Sequence, residues 1–177
     1  MLMRMPAAWS TSVHALHMQL GQVLLADLGF ETQQIVGFTA WRVGESDGDV
    51  IAHAPYTPSH LTVGANGYPY HAWLRHHLFV VDFTTYQFKH KAKHLDADDG
   101  GRTTVAWCPK FLLLPQWKTK TFKQVSAAMH PGVAYYEGRP ELEDVLRPKF
   151  ALDPENVEIA RILVANPDLK VFGPNDQ

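Results

Sequence analysis

The sequence predicts an α+β fold, a central helix packed on an antiparallel sheet with a helical C-terminal addition. Three observations predict it: apolar residues at helical spacing over residues 12–28, short β-branched and aromatic runs between turn signals in the middle of the chain, and capped helical patterns after residue 121. A helix, then strands, then helices is the segregated order of an α+β domain and not the alternation of a parallel α/β sheet. With 177 residues the chain can bury one sizeable core and is short for two. Residues 1–177 are therefore read as a single domain, with a core at about 10–115 and a helical C-terminal part at about 121–177.

The first helix is carried by Val13, Leu16, Leu20, Val23, Leu24 and Leu28, which recur at three- and four-residue steps. Ser10 or Ser12 can cap its start, and Gly29 stands where a left-handed C-terminal residue belongs. Gly21 lowers helix propensity from within, which predicts that another backbone packs closely there. Residues 34–43 lead through Gly44-Glu45-Ser46-Asp47-Gly48-Asp49, a turn signal, into the apolar run 50–52. Prolines, glycines and polar residues over 53–67 predict a long loop of the kind that borders a site. Residues 70–74 and 78–83 form a hairpin, 103–107 and 110–114 are further extended segments, and 121–129 is a short helix. Pro140–Leu146 begins acidic, and Asp153-Pro154-Glu155 supplies a cap, a first-turn proline and a first-turn acid ahead of 157–165, which Asn166-Pro167 stops.

Hydrophobic residues at 46% and charged residues at 19% exclude a disordered chain. No window approaches the roughly 18 apolar residues of a membrane span. The N-terminal apolar stretch is broken by Pro6, Ser10 and Ser12, so no signal peptide is expected and a cytoplasmic location is the default. A formal charge of −2 gives no general attraction to nucleic acid. The basic run Lys89-His90-Lys91-Ala92-Lys93-His94, echoed by Lys118, Lys120 and Lys123, is followed at once by Asp96, Asp98 and Asp99 and reads as a solvated, self-compensated loop. A single cysteine, Cys108, permits no internal disulfide, and no cofactor is expected.

The chemistry concentrates in the hairpin. An even-length loop centred on His76-His77 pairs residues whose numbers sum to 153, which sets His71 opposite Asp82. Facing β-carbons lie roughly 5 Å apart, so the carboxylate can accept from one imidazole nitrogen and leave the other to act as a base. Trp73 and Val80 fall on the same face. A cross-strand pair of this kind also serves simply to hold two strands together.

Tyr70-His71-Ala72-Trp73 and Val80-Val81-Asp82-Phe83-Thr84 resemble the His-Ala-Trp and Asp-x-Thr strands of transglutaminase-like proteins, which share a papain-like core. The order of helix, Leu28-Gly29-Phe30, strand and then the His and Asp strands is similar too, over roughly residues 10–86. The resemblance implies acyl transfer or amide hydrolysis on a peptide or small amide or acyl substrate, with His71 as base and Asp82 as its orienter. It also implies a cysteine nucleophile at the N-terminus of the central helix, which this sequence lacks. The family spacing lands near His14, with Ser10, Thr11 and Ser12 within a turn. Ser12 is the replacement candidate, and a plain helix cap is its ordinary role. Cys108 follows the His and Asp strands in an apolar context and reads as a half-buried packing residue.

Two other classes stay open. A non-catalytic relative could act as a binding or assembly module through a protein partner or a homodimer, using the 53–67 loop, the C-terminal helix and aromatics such as Tyr135 and Tyr136. A metal-dependent hydrolase could take ligands from His14 and His17, three apart on the helix, together with His71. His53, His60, His90 and His130 fall in expected loops without coherent spacing.

Overall fold

A computed structural model describes residues 8–53, 70–146 and 151–169. It is an α+β fold, in which α1 (Ala8–Asp27) precedes β1 (Gln33–Arg42), β2 (Val50–His53) and the hairpin of β3 (His71–His76) and β4 (Phe79–Asp82). There follow α2 (Phe88–Asp99), β5 (Leu112–Pro115), α3 (Phe122–Ser126), β6 (Ala134–Gly138), α4 (Pro140–Leu146) and α5 (Pro154–Ala165).

Every strand pairing is antiparallel among the described residues, and β1 organises the sheet. Thr39 faces both His53 and Tyr136, and Gly37 faces both His71 and Gly138. A strand has two edges, so β6 occupies one edge of β1 while β3 and β2 follow each other along the other. Beyond β3 lie β4 and then β5.

The sheet has two covered faces. On one, Met18 of α1 packs on Val36, Ala72, Leu74 and Val81, joined by Leu146 of α4, and Val125 of α3 packs on Ala40, Ala52 and Tyr135. On the other, Phe88 and Ala92 of α2 pack on Trp41, Val43 and Ile51. Alternation along β1 dictates the division, because Val36 and Ala40 point one way and Trp41 the other.

Several expectations need correction. The first helix begins at Ala8 rather than Ser12, since nothing in Ala8-Trp9-Ser10-Thr11 opposes a helix, so Ser12 lies inside α1 and is not its cap. Gly29 does adopt the left-handed cap conformation, with φ 84°. What approaches Gly21 is not a backbone but the Phe83 ring, into which a β-carbon would run. The basic run 89–94 lies in α2, not in a loop, because Phe88, Ala92 and Leu95 share a helical stripe that buries on Trp41 and Ile51. Residues 103–107 form no strand: the N–H groups of Ala106 and Trp107 both donate to the Val43 carbonyl, leaving no ladder. The expected helix over 121–129 shrinks to α3, closed by a Thr121–Gln124 capping box. The expected helical C-terminal part contains β6, whose tyrosines complete the sheet at β1. Tyr135 is therefore core, and Tyr136 turns into the opposite face. Nearly all of the expected 53–67 loop lies outside the described residues. Among the described residues no helix is long and apolar enough to cross a membrane.

Candidate functional site

The hairpin turns on two residues, His77-Leu78, with His77 at φ 51°, the positive value that primed hairpin turns demand at this position. The pairs Leu74–Val81, Arg75–Val80 and His76–Phe79 give a sum of 155, two more than the expected 153. Asp82 is therefore the diagonal neighbour of His71 rather than its direct partner. A shift of two preserves the face, and the contact forms across the diagonal: His71 Nε2 lies 2.8 Å from Asp82 Oδ2.

Asp82 is held from four directions. Thr84 donates both its N–H and its hydroxyl to Oδ1, each at 2.8 Å. On Oδ2, His71 is joined by the Tyr136 hydroxyl at 2.7 Å, which itself accepts from Trp41 Nε1 at 2.8 Å. Both His71 and Asp82 are wholly buried. Burial pushes the Asp82 carboxyl upward, and the neighbouring His71, its hydrogen bond, Lys91 and the Thr84 N–H outweigh that and hold it well below the usual range. For His71 the balance is reversed: burial lowers its pKa, and the opposing pull of Asp82 does not restore it. Burial is the larger effect on a ring with no solvent contact, so the imidazole is neutral and donates from Nε2 to the carboxylate. Burial, reinforced by Asp82, raises Tyr136 well above its ordinary value, so it stays a phenol and donates.

Aromatic rings enclose the pair. His53 stacks on His71 at 5.5 Å between centroids, as expected for residues facing Thr39 and Gly37 along one edge of β1. Trp73 lies parallel on the other side at 6.1 Å, and Trp41 meets the imidazole edge-on at 5.0 Å. Lys91 of α2 extends over the same Trp41 ring, its Nζ 5.2 Å from the centroid, buried and without a hydrogen-bond partner among the described residues. Burial lowers its pKa to about 8, against the attraction of Asp82. The Asp-x-Thr motif marks Thr84 in the sequence, whereas Tyr136, His53 and Lys91 read there as a docking aromatic, a loop histidine and part of a solvated basic run, and Trp41 is not singled out. Lys91 leaves a further signal there, through the Phe88-Ala92-Leu95 stripe that makes its segment helical.

The expected nucleophile and metal residues are placed less completely. The side chains of Ser12 and His14 lie outside the described residues. The described part of α1 covers the sheet face opposite His71, with Gly21 against the Phe83 ring and the end of the Leu74 side chain. His17 Nε2 meets the Tyr86 hydroxyl at 2.8 Å, just past β4. Among the described residues no three His, Cys, Asp or Glu side chains converge as a metal-binding group. Cys108 is half-buried, with its thiol on the carbonyls of Thr85 and Tyr86.

No protein-family model matches the chain, and no curated protein matches it. Among solved structures it is similar to the crystal structure of a genomics target, APC5867, with a TM-score of 0.57 and 15% identity over 93% of this chain and 71% of that one. At that identity the likeness concerns the fold alone.

Proposed function

We propose that the chain is a transglutaminase-like domain for acyl transfer or amide hydrolysis, with His71 as general base, Asp82 as its orienter and a hydroxyl on the N-terminal turns of α1, Ser12, as nucleophile. The observation that carries this reading is the 2.8 Å contact from a neutral, buried imidazole to a carboxylate clamped by Thr84 and Tyr136. A clamped carboxylate fixes the tautomer, leaving Nδ1 basic, and stabilises the imidazolium that forms when the base takes a proton. The Ser12 oxygen attacks the substrate carbonyl, its proton passes to His71, and the same proton leaves with the departing amine. Water or an acceptor amine then cleaves the acyl ester.

One observation favours a second reading. His71 is wholly buried, and both oxygens of Asp82 are already doubly engaged, as in a polar cluster retained for packing in a binding or assembly module. A serine-directed phosphonylating probe with peptide mapping separates the two. Labelling of the wild type on Ser12, lost in Ser12→Ala, is the expected result. Equal labelling of both proteins removes Ser12, and no labelling of the wild type selects the binding module.

A further inference from the structure

A cleft of about 320 Å³ continues the face that bears His71 and Asp82. Its floor is Ile35, Trp73, Val80 and Tyr136, residues that touch the pair or sit one pleat from it: Trp73 stacks on His71, and the Tyr136 hydroxyl bonds Asp82. Trp73 and Tyr136 meet edge to face at 5.2 Å and form the inner wall. At the outer end stands Arg75, two residues along β3 from Trp73 and on the same face. Its Nη2 donates to the neutral side-chain oxygen of Gln33, and no carboxylate pairs with it among the described residues. The other arginine in the wall, Arg139, is already engaged by Glu137 and Glu141. Glu143 also lines that side, so the cleft carries opposite charges on its two rims.

An aromatic and aliphatic floor with polar rims, ending in a guanidinium that bonds an amide oxygen, is complementary to an apolar stem ending in a carboxylate. We propose that this cleft binds a carboxylate-bearing ligand, with its terminal carboxylate on Arg75 and its apolar stem across Ile35, Trp73 and Val80 toward Tyr136. The proposal stands apart from the catalytic reading above, because the buried His71 and Asp82 do not line the cleft. Two strand residues span about 7 Å, which suits a dicarboxylic monoamide with a short methylene spacer.

Glutaryl-p-nitroanilide and butyryl-p-nitroanilide, matched except for the carboxylate, test it, with binding followed by calorimetry and turnover by nitroaniline release. The wild type is expected to bind the glutaryl compound about tenfold more tightly, Arg75→Gln to erase the preference and Arg75→Lys to keep part of it. The proposal is overturned if Arg75→Gln leaves the preference unchanged, or if the wild type shows none. Preferential binding without nitroaniline release supports the cleft and sinks the catalytic reading. Release without preference does the reverse.

Discussion

The ammonium of Lys91 lies 5.2 Å from the centre of the Trp41 ring with no hydrogen bond among the described residues, and its burial has a definite thermodynamic sign. Its pKa falls from 10.5 to about 8, so between those values the unfolded chain holds a proton that the folded chain has lost. Stability therefore rises with pH across that window, and at neutral pH the buried charge opposes folding. Lys91→Met, which keeps the stem over Trp41 and Phe88, is expected to gain on the order of 1–3 kcal/mol in urea unfolding at pH 7, with the gain shrinking above pH ~8. A loss of stability at pH 7 would mean that the ammonium has a partner which the cation–π contact does not represent. At this scale His71 and Asp82 were legible from the sequence because alternation assigns both to one face whatever the even shift in register. Tyr136 was not, because its place on Asp82 depends on β6 crossing to β1 from almost a hundred residues away in sequence.

The elements repeat that division between local and non-local causes. α1, the strands of the hairpin and the Asp153 cap of α5 follow from spacing and capping residues, and the capping contact of Asp153 with the Glu155 N–H forms as its sequence signal implies. β6 and α2 do not announce themselves: one is five residues long, and the other hides an apolar stripe among lysines and histidines. The turn at His77-Leu78 escaped because a histidine at positive φ lacks the glycine or asparagine signature of a two-residue hairpin. Gly21 is the position where α1 and the hairpin constrain each other. Alanine there adds helix propensity of about 1 kcal/mol but drives a methyl group into Phe83, an overpacking cost of about 1–3 kcal/mol. Gly21→Ala is expected to lower stability by about 1 kcal/mol net, read as a lower urea midpoint at unchanged slope. An increase would indicate that Phe83 swings aside freely.

For the molecule as a whole, the sheet divides its contents by face: one face carries the packing of α1, α3 and α4, while the other carries α2 together with the polar pair, its aromatic box and the cleft. The α+β order was readable from the segregation of patterns along the chain. Which face each helix covers was not, since that depends on pairings between distant strands. The buried pair also links the site to global stability. His71 has a lowered pKa when folded, so it contributes stability that is present above about pH 6.5 and is lost as pH falls below it, where the unfolded ring takes a proton first. Asp82, also lowered, adds stability present above about pH 3.8 and lost further into acid. The measurement that tests the central claim most directly is an imidazole ¹⁵N titration of His71 from pH 7.5 downward. A neutral ring with its proton on Nε2, persisting below pH 6.5 until the protein unfolds, is the predicted result; an imidazolium at pH 7, or a proton on Nδ1 in place of Nε2, would contradict a base oriented by Asp82.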